Sequence, residues 1–130
     1  MIRRILLALA LAAVPLAHEA LAHHNMTAFF DFSDRVTLSG ALTKVDWRNP
    51  HIYLTVDMKS ANGEMESWLA EGPSPTWFRI REVGKDDFVA NIGKPLSVEV
   101  SRARDKSKSG LIRTLTLPGG RVVSACPQNC

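Results

Sequence analysis

One stretch near the start of the chain decides the fold: RVTLSGALTKVDW, at residues 35–47. Its apolar residues change parity part of the way along. Val36, Leu38 and Leu42 are at even positions, whereas Val45 and Trp47 are at odd positions. Alternating apolar and polar residues predict a β-strand with one buried face, and a change of parity predicts a bulge, which adds one residue and bends the strand. We therefore expect a long first strand that bends near Thr43 and Lys44.

The rest of the chain predicts further strands and one helix. Alternating apolar residues predict strands within residues 52–58, 65–70, 96–101, 111–117 and 121–123. After the third strand, Ser74 is a good N-cap and Pro75 suits the first helical position, so we expect a helix of two to three turns that ends near Gly84. A further short turn, capped by Asp86, is expected to follow.

This order of elements predicts an all-β protein with one short helix. Three strands, a helix and two further strands is the order of the OB-fold, and a bend at the bulge and at Gly40 lets the first strand join both halves of a closing sheet. We therefore predict an OB-like, partly open barrel of five to six strands over residues 35–124, with 23–34 as an N-terminal segment and 125–130 as a tail. The competing architecture is a β-sandwich-like meander with a lid helix, because strand order does not fix strand pairing.

The size and charge of the chain exclude several classes of protein. Its 130 residues, of which 45% are hydrophobic and 22% charged, suit one globular domain. No apolar run reaches the roughly 18 to 20 residues of a membrane-spanning helix. The formal net charge of +3 is a small excess for a nucleic-acid-binding protein. We therefore expect no nucleic-acid partner and no transmembrane segment in the mature chain.

Residues 1–22 have the three parts of a signal peptide. Two arginines precede the apolar run at residues 5–16, and Ala20-Leu21-Ala22 supplies the small residues of a cleavage site. We therefore predict export, to the periplasm or the medium, and a mature chain that begins at His23. Because no cysteine follows this cleavage site directly, the sequence does not indicate a lipoprotein anchor.

The predicted N-terminus carries groups that bind copper. His23 would present a free α-amine and an imidazole on one residue, and Cu(II) prefers nitrogen donors in a tetragonal set. His24 offers a second imidazole, and His51 offers a third if the N-terminus packs beside it. Cleavage one residue earlier would place a histidine third in the mature chain, which is another copper-chelating arrangement. The alternative interpretation is that His23 and His24 are solvated and that His51 hydrogen-bonds the turn at Asn49-Pro50.

Both cysteines, Cys126 and Cys130, lie in the last five residues. An oxidising compartment permits them to form a disulfide, which would close a loop too short to affect the core strongly. Their C-x₃-C spacing also suits a soft ion such as Cu(I), but spacing alone identifies no site. We therefore expect a disulfide or an unpaired tail in preference to a thiolate metal site.

Aromatic and basic residues indicate a candidate ligand surface. Trp47 and Tyr53 belong to it because aromatic side chains on OB-folds stack on sugars or bases, and because Tyr53 has the parity opposite to its apolar neighbours. Arg102 and Arg104 belong to it because they lie in a basic loop that suits an anionic partner, such as a lipid head group or an acidic polysaccharide. The other interpretation places the aromatic rings in the core and the loop charges in solvent.

Several segments together resemble a known family. They are the histidine pair at 23–24, residues 29–34, VDWRNPH at 45–51, GPSP at 72–75 and residues 115–121. They resemble the small secreted bacterial proteins of domain-of-unknown-function family 6152, and the resemblance covers nearly the whole mature chain. Its most specific parts are the W-x-N-P-H segment and the histidine pair. The resemblance implies no established activity.

The sequence contains no arrangement typical of an active site. Its serines and carboxylates show no nucleophile-base-orienter spacing, and it has no glycine-rich phosphate loop. We therefore expect no enzyme but an exported, non-catalytic binding or accessory module, with a small ligand or another periplasmic protein as its partner. The alternative is a periplasmic copper-binding protein that uses the mature N-terminal histidines.

Overall fold

A computed structural model describes residues 26–125 of the chain. In chain order its elements are α1 (Met26–Phe29), β1 (Phe30–Trp47), β2 (Ile52–Lys59), β3 (Met65–Glu71), α2 (Pro75–Arg79), α3 (Lys85–Val89), β4 (Pro95–Ala103), β5 (Ser109–Thr116) and β6 (Val122–Ser124). The peptide bond between Asn49 and Pro50 is cis. No helix within this range has the length and apolar character needed to cross a membrane.

The six strands form one sheet, in the order β3-β2-β1-β4-β5-β6, with antiparallel neighbours. A short parallel pairing then joins β3 to β5, where residues 69–71 lie beside residues 109–111. This pairing curls the sheet onto itself, and β6 continues the same edge of β5 at residues 114–116. The prediction of an all-β, OB-like and partly open architecture is confirmed, and the competing sandwich is excluded because it would require two separate sheets. The sheet is partly closed and not a complete barrel, and residues 26–125 contain three short helices where the sequence predicted one.

The predicted bulge in β1 is present. The pairing with β2 shifts register between Leu42 and Lys44, which leaves Thr43 as the extra residue. The main chain of Leu42 pairs instead with the turn after α3: its N–H donates to the Lys94 carbonyl at 3.1 Å, and its carbonyl accepts the Gly93 N–H at 2.7 Å. The bulge thus attaches the helical region to the sheet.

The bend in β1 lets this one strand serve both halves of the sheet. Its first part, up to Ala41, pairs with β4, and its last part pairs with β2. Gly40 lies where the two halves meet, and a Cβ there would collide with the Asp57 carbonyl of β2. Only glycine permits this close approach of two backbones, so the change of parity and Gly40 together explain the curvature.

The interior of the curled sheet is filled by apolar side chains from alternate strand positions. The fully buried ones from the strands include Leu38, Leu42, Ile52, Leu54, Val98 and Leu115. At one end α2 and α3 each contribute a phenylalanine, and the rings of Phe78 and Phe88 pack against Trp47 with centroids 5.7 and 5.4 Å away. We refer to this set as the inner core.

The helical region differs from the prediction in two ways. Ser74 caps α2 as expected, since its Oγ accepts the Trp77 N–H at 3.3 Å, but α2 has only five residues. Beyond α2 the chain reverses at Glu82, whose φ is +58°, and the next residue, Val83, is buried in the inner core. Gly84, the predicted end of α2, instead precedes α3, and its N–H donates to Asp87 at 2.7 Å, so Asp86 is not the capping residue.

Side chains from α1 and from the start of β1 pack on the outer face of the sheet. We term this group the outer cluster. Its members are Phe30, Ala103 and Leu111, with Met26 and Phe32 packed against them. Ser101 and Arg113 are buried on the same face of β4 and β5. Within residues 26–125, neither the Ser101 Oγ nor the Arg113 Nη1 has a hydrogen-bond partner.

Candidate functional site

An open cleft of about 590 Å³ lies on the outer face of the sheet, beside the outer cluster. We term it the α1 cleft. It is lined by Met26, Ala28, Phe29, Phe30, His51, Glu71, Ala103, Arg104, Asp105 and Ser109. Helix α1 and the first residue of β1 form one side, and His51 and Glu71 contribute from the chain around β2 and β3. Apolar and titratable side chains thus share one concave surface, which is the usual character of a small-ligand site.

Main-chain pairing brings His51 and Glu71 together. His51 directly precedes β2, and Glu71 ends β3. Beyond the end of β3 the chain stays paired with Ile52, since the Gly72 N–H donates to the Ile52 carbonyl at 2.8 Å and the Ile52 N–H donates to the Pro73 carbonyl at 3.2 Å. The two side chains therefore meet at the point where the parallel pairing with β5 partly closes the sheet.

The hydrogen bonding of His51 identifies which ring nitrogen is available to a ligand. Nδ1 lies 3.1 Å from the Gly72 carbonyl oxygen and 3.5 Å from Glu71 Oε1. The Gly72 carbonyl oxygen can only accept a hydrogen bond, so this contact favours the tautomer in which Nδ1 carries the proton. In the neutral imidazole the lone pair is then on Nε2, for which no partner occurs among residues 26–125. A histidine fixed through one nitrogen by a carbonyl or carboxylate is the usual arrangement of a metal-binding histidine.

Glu71 is partly withdrawn from solvent. Burial raises the pKa of its carboxyl, and the neighbouring His51 acts in the opposite direction. Burial is the larger of the two effects, so the α1 cleft presents a carboxyl group that holds its proton more strongly than a free glutamate does. His51 and Glu71 together offer one nitrogen and one carboxyl group to a ligand.

Arg104 holds α1 against the sheet. Its Nε donates to the Thr27 carbonyl at 2.7 Å, and its Nη1 lies 3.7 Å from Asp31 Oδ2. The main-chain N–H of Arg104 also donates to the Phe29 carbonyl at 2.9 Å. The sequence placed Arg104 in a ligand surface; it lines the α1 cleft, and part of its guanidinium fixes one side of that cleft.

The other predicted surface residues lie apart from the α1 cleft. Arg102 places its guanidinium carbon 5.5 Å from the centre of the Trp68 ring and donates to the Lys106 carbonyl at 3.2 Å. Trp47 packs its ring against the inner core. Tyr53 lines a separate, smaller depression on β1, β2 and β3. The four residues thus do not form one surface.

The remaining predicted site residues, His23, His24, Cys126 and Cys130, lie outside the described residues. Within residues 26–125 no three His, Cys, Asp or Glu side chains are grouped as a metal site requires. The interpretation that His51 hydrogen-bonds the turn before it is wrong, because its partner is the carbonyl of Gly72. Sequence reasoning did not identify Glu71 or the aromatic side chain of Phe29, since their place in the cleft depends on non-local pairing.

The chain matches the model of a protein family over most of its length. The model of a family described as a family of unknown function (DUF6152) matches residues 10–113. This range includes α1, His51, Glu71 and most of β5. No curated protein and no solved structure shows significant similarity to the chain.

Proposed function

The chain belongs to the family of unknown function DUF6152, and we propose that it is an exported protein that binds a small ligand in the α1 cleft without converting it. The observation that carries this proposal is the fixed orientation of His51 beside Glu71 in an open cleft. Sites that bind small ligands combine an apolar wall with a few oriented polar groups. Phe29 and Phe30 supply the wall, and His51 and Glu71 supply the polar groups.

The exported and non-catalytic parts of the proposal are supported by the sequence. The sequence has the three parts of a signal peptide at residues 1–22, and residues 23–130 contain no nucleophile-base-orienter spacing. Mass spectrometry of the protein recovered from the periplasmic fraction tests export. We expect a mass that corresponds to a start at His23, whereas an intact leader on a cytoplasmic protein would contradict it.

The cleft itself is tested by fragment binding followed through backbone amide NMR. We expect binding fragments to shift the amides of His51, Glu71 and Ser109 together. Ser109→Trp places an indole in the cleft and should abolish these shifts, whereas Ser124→Trp, on the exposed β6, should leave them unchanged. Fragments that shift amides elsewhere, or that bind Ser109→Trp equally well, would contradict the assignment.

A second candidate function is copper binding, and the position of α1 favours it. Met26 lines the same cleft as His51. An extended chain spans at most about 3.6 Å per residue, so the Cα of His24 lies within about 7 Å of the Cα of Met26, and that of His23 within about 11 Å. Chain length therefore keeps His23 and His24 within these distances of a residue that lines the same cleft as the oriented imidazole of His51. Together these groups are the nitrogen donors that Cu(II) prefers.

Calorimetric titration with CuCl₂ tests the copper function. The protein that begins at His23 should bind one Cu(II) ion, and His51→Gln should weaken this binding at least tenfold. An added N-terminal residue, which moves the α-amine, should weaken it as well, while the matched variant Asn91→Gln, on the turn after α3, should not. Equal affinities in all four proteins would exclude the proposed site.

A further inference from the structure

A second depression, of about 170 Å³, lies on the outer face of β1, β2 and β3. It is lined by Lys44, Asp46, Arg48, Tyr53, Thr55 and Leu69. Cross-strand register brings these residues together, since Asp46 pairs with Tyr53, and Lys44 and Leu69 both pair with Thr55. The two depressions have no lining residue in common, so a ligand of the smaller one does not require the α1 cleft.

The floor of this depression is apolar, with a polar edge. Leu69 is 45% exposed although it lies in the middle of β3, and the half-buried Tyr53 ring lies one strand away. The Tyr53 hydroxyl can donate a hydrogen bond to a ligand. Thr55 adds a second hydroxyl.

The charges at the edge do not cancel. Arg48 Nε lies 3.2 Å from Asp46 Oδ2, and its guanidinium carbon lies 5.9 Å from the centre of the Tyr53 ring. Arg48 is therefore paired, whereas Lys44 forms no ion pair with any residue in the described range 26–125. The depression thus combines an aromatic face, two hydroxyls and one positive charge without a partner.

We propose that this depression binds the ring of an acidic sugar, with the ring against Tyr53 and Leu69 and its carboxylate near Lys44. Its volume is below the roughly 300 Å³ of sites for drug-sized ligands, which suits a single ring. Aromatic side chains on the faces of OB-folds bind sugars in this way. An extended peptide suits the surface less well, because the main chains of β1, β2 and β3 are already paired with one another in this region.

Saturation-transfer NMR with galacturonate tests the proposal, with galactose as the matched ligand that lacks the carboxylate. We expect galacturonate ring protons to receive at least three times the saturation of galactose protons. Lys44→Met should remove this difference, whereas Lys59→Met, at the exposed end of β2, should preserve it. Equal signals for the two sugars, or the same loss in both lysine variants, would overturn the proposal.

A second set of variants tests the stacking of the sugar ring on Tyr53 separately from the charge of Lys44. It also tests whether sugar binding is independent of the α1 cleft. Tyr53→Ala should lose the galacturonate signal, and Tyr53→Phe should retain most of it, because the ring supplies the platform. Thermal unfolding midpoints of these variants verify that they are folded. His51→Gln should bind galacturonate as the wild type does. The sugar-binding proposal can therefore hold even if the proposal for the α1 cleft is wrong. A galacturonate signal that survives in folded Tyr53→Ala would contradict the site.

Discussion

The inner core and the outer cluster lie on opposite faces of the same sheet, and they differ in what they bury. The inner core contains eighteen buried residues, all of them apolar. The outer cluster contains three. Within the described residues, unpartnered buried polar atoms border both regions: Ser101 Oγ and Arg113 Nη1 lie beside the outer cluster, and Trp77 Nε1 and Arg102 Nε lie beside the inner core. Complete burial of a large apolar side chain contributes about 1.5–3 kcal/mol, whereas an unsatisfied buried polar group costs about 1–3 kcal/mol.

This difference assigns separate roles to the two faces. The inner core supplies the stability of the curled sheet, and the outer cluster adds little to it. The α1 cleft is bounded by the region with fewer buried apolar residues, so a substitution in its apolar wall should destabilise the sheet less than one in the inner core. The oriented imidazole, by contrast, is fixed by the Gly72 carbonyl at the edge of the stable region.

The largest expected effect is the loss of stability when a buried aromatic ring is removed, and it should differ between the inner core and the outer cluster. Phe78→Ala removes a fully buried ring from the inner core and should lower the free energy of unfolding by about 3–5 kcal/mol. Phe30→Ala, in the outer cluster, should lower it by less than half as much, because fewer buried side chains surround it. Urea denaturation of both variants measures this, and equal losses would contradict the comparison.

A smaller effect, of opposite sign, is expected beside the outer cluster. Arg113 is buried with an unpartnered Nη1, and its guanidinium carbon lies 5.3 Å from the centre of the Phe32 ring. Methionine can keep the contact with this ring while it removes the buried charge, so Arg113→Met should raise the free energy of unfolding by about 1 kcal/mol. Arg35→Met is the control, since the pair of Arg35 and Glu99 is exposed and should contribute about 0–1 kcal/mol. Denaturation at neutral pH measures both. A clear loss of stability in Arg113→Met would contradict this, because it would show that the cation–π contact with Phe32 outweighs the cost of burying the guanidinium.

The smallest effect concerns Glu71 and depends on pH. Burial raises the pKa of Glu71 above its ordinary value of 4.5, so the folded protein holds this proton more strongly than the unfolded chain does. As the pH rises from about 4 towards neutrality, the unfolded chain releases its proton first and unfolding is favoured. The free energy of unfolding of the wild type therefore falls over this pH range. Glu71→Gln has no proton to release at this position, so its stability relative to the wild type should increase as the pH rises. Glu64→Gln, in the exposed hairpin turn, should show no such trend in parallel denaturation series.

The sequence predicted the features that depend on neighbouring residues. The bulge in β1 was predictable because apolar parity changes within a few positions, and the cap of α2 because Ser74 and Pro75 are adjacent. The early end of α2 was not, because the left-handed turn at Glu82 is followed by Val83, whose burial in the inner core depends on contacts with residues distant in sequence. The environment of His51 was not predictable either, since its partner Gly72 is 21 residues away and is positioned by strand pairing.

Pulsed electron paramagnetic resonance of the copper-loaded protein tests the central claim, that His51 Nε2 is a binding atom of the α1 cleft, most directly. The protein that begins at His23 and its His51→Gln variant are compared at one Cu(II) ion each. Remote imidazole nitrogens modulate the spin echo, and a histidine bound through Nε2 contributes through Nδ1. We expect the variant to show one coordinated imidazole fewer than the wild type. The same number of imidazoles in both proteins would contradict the account.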